Sequence, residues 1–268
     1  MRLVSLAHFT VIDADPLTLI EAGVAGGFDA VGLRIVPPLP TDSIIPVIGD
    51  FPLQRRIKSR LAATGLRILD IEAIWLTPET DVSLLLPALD LGAELGAGSV
   101  LVVGHDPDRR RLAANLARLC EAAHGRGLRV MLEFIPYSQV RTLDEAHRLL
   151  AGLAPANAGI LVDALHLSRS GGTPSDLARY DASLFSYMHL CDAPATPPPP
   201  EEFRSEARGD RLYPGEGGLW LSDFVAAFPP GTPVAIEAPT RHHAALSPIE
   251  RGRLAGAACR QLLASAPR

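Results

Sequence analysis

The chain has 268 residues, 47% of them hydrophobic and 21% charged, with a net charge of −5. That is enough apolar material for a large core and too balanced a composition for disorder. A mildly acidic chain with no basic patch interleaved with aromatics is not expected to bind nucleic acid; its densest basic run, "DRRRL" at 108–112, reads as the solvated first turn of a helix.

No apolar run approaches the ~18 residues that a membrane span needs. The opening stretch "MRLVSLAHFTVIDADP" meets Asp13 too soon for a signal-peptide core. Cys120, Cys191 and Cys259 are odd in number and far apart, so they form neither a disulfide framework nor paired zinc-ligand spacing. The expectation is a soluble cytoplasmic protein with reduced thiols, acting on a small molecule without membrane contact. Self-association is left open.

In chain order, short runs rich in Val, Ile and Leu stand at "RLVSLA" (2–7), "DAVGLRI" (29–35), "RILDIEAI" (67–74) and "GSVLVVG" (98–104). Four more follow at "RVMLEF" (129–134), "AGILVD" (158–163), "FSYMHLC" (185–191) and "PVAIEA" (233–238). Continuously apolar runs of this length are what strands buried on both faces require. The segments between them have helical spacing: Leu85, Leu89 and Ala93, then Leu112, Leu116 and Leu119, and last Leu254, Ala258 and Leu262. Glycine closes several of them, in "AGGFD", "ATGLR", "ELGAGS" and "GRGLR", as expected where a helix turns back towards a sheet.

Strand and helix alternating eight times imply parallel strands joined by right-handed crossovers. The expected fold is α/β: one (β/α)8 TIM barrel over residues 1–268. No G-x-G-x-x-G follows the first strand, which counts against a doubly wound open sheet. The seventh interval, about 47 residues against about 27–38 for the others, contains "APATPPPPEEFRSEARGDRLYPGEGG". This long proline-rich loop is either a stiff polyproline surface segment or a lid, since loops after barrel strands lie on the catalytic face. The lid is favoured.

Four runs place a polar residue at their far end: Glu133 in "VMLEFIP", Asp163 in "GILVDALH", His189 in "SYMHLCD" and Glu237 in "PVAIEAP". These are the tips of strands five to eight, which converge on one mouth in a barrel. Three carboxylates brought together resist ionising unless a cation joins them. One divalent ion held by Glu133, Asp163, His189 and Glu237 resolves that repulsion. A mixed oxygen and imidazole set suits Mn, Mg, Co or Zn without separating them.

The set resembles the xylose isomerase-like barrel superfamily, which includes sugar isomerases, ketose 3-epimerases, inosose isomerases and dehydratases, and endonuclease IV. In the epimerase branch the ligands are Glu, Asp, His and Glu from strands five to eight, matching the four residues above. The resemblance also gives "DALH" (163–166) a substrate-contacting His166, and "RLYPGEG" (211–217) a loop arginine, Arg211, with Arg208 or Arg204 as replacements in the longer loop. It resembles endonuclease IV less, because "LCDAPA" after His189 lacks that enzyme's additional histidine.

The resemblance implies metal-dependent proton transfer beside a carbonyl, through an enediolate, on a sugar, cyclitol or related hydroxy-ketone. Glu133 and Glu237 would carry the proton, and His166 and Arg211 would steady the oxyanion. Alternatives on the same residues are a dehydratase or lyase and, more distantly, a phosphoesterase on abasic DNA. Trp75 and Phe9 are expected as apolar walls of a substrate site that also takes His105, Arg208 and Asp192. His105 binds substrate, caps the next helix or is a remnant of a richer metal site. His8, Glu72 and Arg34 also lie near strand ends.

Overall fold

The computed structural model describes residues 2–39 and 42–265. Each of the eight apolar runs becomes a strand: β1 (Val4–Leu6), β2 (Ala30–Arg34), β3 (Arg67–Leu76), β4 (Ser99–Gly104), β5 (Arg129–Glu133), β6 (Ala158–Asp163), β7 (Met188–Leu190) and β8 (Val234–Ile236). All neighbours pair in parallel in sequence order, and β8 returns to β1 to close a barrel. Around it, among the described residues, run α1 (Pro16–Gly26), α2 (Phe51–Thr64), α3 (Leu86–Glu94), α4 (Arg109–His124), α5 (Leu143–Leu153), α6 (Ala164–Arg169), α7 (Phe203–Gly209), α8 (Leu221–Ala226) and α9 (Pro248–Ser265). None of these helices is long and apolar enough to cross a membrane.

Local chemistry sets the helix ends. Asp15, Asp50, Asp108 and Thr142 each accept a backbone N–H in the first turn of α1, α2, α4 and α5, satisfying donors the helix leaves free. The basic run 109–111 is the solvated start of α4. Gly27, Gly65, Gly96 and Gly127 take φ from +65° to +78° after α1, α2, α3 and α4, a conformation that costs glycine little and other residues more.

The apolar residues form two layers. The outer one lies between strands and helices and includes Leu112, Leu116 and Leu119 of α4, all buried. The inner one, Ala73, Leu101, Met131, Leu161, Tyr187 and Ala235, fills the barrel. On the last helix the expected Leu254 face is not the buried one: Leu254 is 41% exposed, and Arg251, Gly252, Ala255, Gly256 and Cys259 turn inward. The reason is backbone proximity. A Cβ on Gly252 would stand 2.5 Å from Ala22 O, and one on Gly256 would stand 2.1 Å from Gly26 O. α9 therefore meets α1 along a seam of small residues that leucine could not enter.

Between β7 and β8 the proline run leads into a 3-10 turn (Pro200–Glu202) and then α7. The segment is tied down at Asp192, whose backbone exchanges hydrogen bonds with Leu212 at 2.8 and 2.9 Å. The Asp192 carboxylate accepts four more N–H groups, from Ala193, Gly215, Gly217 and Leu219, at 2.9–3.0 Å.

Candidate metal centre

Strand periodicity explains why four polar side chains converge. Successive residues of a strand alternate faces, so residues two apart share one. Met131, Leu161, Tyr187 and Ala235 point into the barrel. Two residues on stand Glu133, Asp163, His189 and Glu237, one layer nearer the mouth. One ligand-type atom from each of the four lies within 4.8 Å of all the others, and all four residues are buried.

Their partners are few. Asp163 Oδ1 accepts the His166 N–H at 3.0 Å, and Oδ2 accepts Arg211 Nη1 at 2.6 Å. Glu237 Oε2 lies 3.1 Å from Arg211 Nη2 and 3.5 Å from His189 Nδ1, the latter an ion-pair distance without hydrogen-bond geometry. Glu133 Oε1 and both His189 ring nitrogens have no hydrogen-bond partner among the described residues. Orphaned buried polar atoms are costly and call for an explanation. Three orphans converging with two further carboxylates fit a divalent cation, which would use the lone pairs the protein leaves unfilled.

The charge balance agrees. Burial, then the neighbouring Glu237, push the Glu133 carboxyl well above the usual carboxylate range. Burial would also raise Glu237, but His189 and Arg211 outweigh it and hold that carboxyl far below its ordinary value. Burial would lower His189, yet Glu237 and Glu133 raise it to about 10. The protein's own cations are insufficient for three ionised carboxylates.

Residues 20–259 match the protein family described as xylose isomerase-like TIM barrel. The chain belongs to that family. Among curated members, it is 31% identical to the inosose isomerase of Halalkalibacterium halodurans over 113 residues, 41% of this chain and 38% of the relative. It thus spans well under half the length of the curated relatives it matches. The crystal structure of the IOLI protein with a binding zinc atom superposes over 100% of this chain and 99% of its own, with a TM-score of 0.79 and 18% identity. A D-allulose 3-epimerase from Methylomonas sp. superposes over 98% of each chain, with a TM-score of 0.72 and 19% identity. The structural likenesses establish the shared barrel.

Around the centre runs a narrow cleft of about 40 Å³ whose lining includes Phe9, Arg34, Trp75, Glu133, Tyr137, His166, Arg208, Arg211 and Glu237. Arg211 is only 1% exposed. It is fixed in the floor by Asp163 and Glu237 and by the carbonyls of Ala207 and Glu237, each at 2.9 Å. Its Nη2 points to His166 Nε2 at 3.4 Å, and that nitrogen lies 4.0 Å from Glu133 Oε1. Burial lowers His166 to about 4, so the ring is neutral.

Other residues that the sequence brings forward as candidates fall outside this lining. Asp192 spends its oxygens on the turn described above. His105 packs edge-on against Trp75, 4.9 Å between ring centroids, and it does not cap α4, because Asp108 does. His8 is fully engaged by backbone: Nδ1 accepts the Arg34 N–H and Nε2 donates to Ala14 O at 2.9 Å. Arg204 does not line the cleft.

Three residues of the centre are not apparent from sequence. Tyr137, four positions after Glu133, stands edge-on to His166 at 5.9 Å. Tyr187 donates its hydroxyl to Asp70 Oδ2 at 2.6 Å, one layer below the centre. Asp70 itself lies fully buried there beside Glu72. Burial raises Asp70 to about 6; burial and then Asp70 raise Glu72 to about 8. The signal for the tyrosines is weak but present: both are aromatic residues two or four positions from a strand-tip candidate.

Proposed function

We propose that this chain is a divalent-metal-dependent isomerase or epimerase of a sugar, a cyclitol or a related hydroxy-ketone. The convergence of Glu133, Asp163, His189 and Glu237 within 4.8 Å carries the reading, and membership of the family supports it. The name of the inosose isomerase relative fits the same substrate class. We assign the four residues as ligands of one Mn²⁺, Mg²⁺, Co²⁺ or Zn²⁺. When bound, the ion would polarise the substrate carbonyl and its neighbouring hydroxyl as a Lewis acid.

The residues then divide the work. One of Glu133 and Glu237 takes the proton from the carbon beside the carbonyl, leaving an enediolate. The other returns a proton to the opposite face, which epimerises, or to the former carbonyl carbon while the neighbouring hydroxyl proton passes to the former carbonyl oxygen, which isomerises. Arg211 offers fixed positive charge to the developing oxyanion, and neutral His166 orients it by hydrogen bonding. Phe9 and Trp75 wall the cleft, with Arg208 at its edge and His105 behind Trp75.

A cleft of about 40 Å³ is far smaller than the ~300–1,000 Å³ of ordinary small-molecule pockets. A six-carbon substrate enters only if the walls part. Arg208 on α7 and Asp42 after β2 are joined by a 2.8 Å hydrogen bond across the mouth, so we assign the lid role to α7 and its flanks.

The test is turnover in D₂O with Mn²⁺-loaded protein on 2-keto-myo-inositol, D-fructose and D-allulose. The expected result is deuterium at the carbon beside the carbonyl, with product mass otherwise conserved. Glu133→Gln or Glu237→Gln, measured at saturating metal, should cost at least the ~10²–10⁴-fold typical of general base catalysis. A product lighter by one water would make the enzyme a dehydratase. Turnover in which a label on that carbon stays on its original carbon and face would overturn the mechanism.

A further inference from the structure

One buried cation in the cleft has a carboxylate at ion-pair distance but no hydrogen-bond acceptor for its side chain among the described residues. Arg34 ends β2 and is 7% exposed. Among the described residues its side chain makes no hydrogen bond; Nε is buried without a partner, and the nearest carboxylate oxygen, Glu72 Oε2, stands 3.8 Å from Nη2. The guanidinium carbon also stacks on the Phe9 ring, 4.5 Å from its centroid. Arg208 approaches the same ring at 5.7 Å and is held otherwise by Asp42. Both arginines line the cleft together with Glu133, His166, Arg211 and Glu237.

A guanidinium taken out of water without acceptors is expensive. Its planar fork matches a carboxylate or a phosphate oxygen pair better than a hydroxyl. A neutral sugar would leave that fork unanswered, whereas an anion would satisfy Arg34 and compete with Asp42 for Arg208. We propose that the substrate carries a carboxylate or phosphate group remote from its carbonyl end, and that Arg34 and Arg208 beside Phe9 form the subsite that binds it. This rests on the reading of the four-residue cluster as the end where the carbonyl reacts.

Three ketoses that differ only at carbon six provide the test: D-fructose, D-fructuronate and D-fructose 6-phosphate. Binding to the Mn²⁺-loaded protein is followed by calorimetry and by tryptophan fluorescence. At least one anionic ketose should bind ten times more tightly than fructose, and which one does so separates carboxylate from phosphate. Arg34→Gln and Arg208→Gln should each reduce that preference at least fivefold, with metal content and unfolding midpoint as controls. Arg34→Lys, which keeps the charge but loses the fork, should retain part of it. Equal binding of neutral and anionic ketoses, binding of none, or a preference that survives both Gln variants overturns the proposal. Deuterium exchange on the same ketoses separates the two readings. Exchange without charge preference removes only the anionic subsite, and an Arg34-dependent preference without exchange removes only the isomerase reading.

Discussion

Replacing Arg211 with methionine tests how the centre balances its charge. Methionine fills most of the volume but offers no donor. In the metal-free protein the change strips Asp163 of a 2.6 Å partner and Glu237 of a 3.1 Å one. It also removes the donors that serve the carbonyls of Ala207 and Glu237. All of this happens around a side chain only 1% exposed. Removing one member of a buried ion pair costs about 3–5 kcal/mol, because the remaining charge stays buried and unpaired. With a urea m-value near ~3 kcal/mol/M, the unfolding midpoint should fall by roughly 1–2 M. Arg211→Lys keeps a charge without the fork and should fall between.

The informative comparison is with Mn²⁺. A divalent ion and Arg211 neutralise the same carboxylates, so they compete for one job. Saturating Mn²⁺ should therefore stabilise Arg211→Met more than wild type, and by linkage the variant should bind the ion at least as tightly. Midpoints with and without Mn²⁺, read by tryptophan fluorescence, decide the matter. If Mn²⁺ stabilises the variant less than wild type, Arg211 builds the ligand geometry rather than balancing its charge, and the reasoning fails.

Two further outcomes follow from the same packing. Metal-free protein should lose stability as pH rises from about 7 towards 10. His189, raised to about 10 from an ordinary 6.5, contributes stability that is complete below 6.5 and lost as pH climbs through 10. Glu72, held protonated up to about 8, adds a loss of the same sign above 4.5. His166 and His8, both lowered to about 4, cost stability as pH falls from 6.5. Each proton is worth on the order of 1 kcal/mol per pH unit, and a flat urea midpoint from pH 7 to 9 would contradict the buried cluster. Gly256→Ala should destabilise by about 1–3 kcal/mol through overpacking, since its Cβ would stand 2.1 Å from Gly26 O; an unchanged thermal midpoint would mean that α9 shifts freely on α1.

Much of this molecule is legible in its sequence because barrel strands are buried on both faces. Eight apolar runs alternating with helices, without the glycine fingerprint of an open sheet, point to a barrel, and a carboxylate inside one is conspicuous. Glu133, Asp163, His189 and Glu237 can thus be named from composition along the strand alone. What makes Asp70 illegible, and leaves Glu72 no more than a residue near a strand end, is register. The β2–β3 pairing slips between Val31 and Gly32, and the β3–β4 pairing slips between Ile71 and Ile74. Simple alternation then fails to say which of Asp70, Ile71, Glu72 and Ala73 faces inward. Gly32 supplies the missing room: a Cβ there would lie 2.0 Å from Glu72 Oε1 and 2.7 Å from Asp70 Oδ1. A glycine in a central strand marks a close approach, but only the partner strand shows what approaches. Asp192 is the opposite case. Beside a strand end it is expected at the substrate, and its carboxylate binds four backbone donors. Sequence places an acid near a mouth; whether its oxygens face substrate or a turn depends on where the following segment folds back.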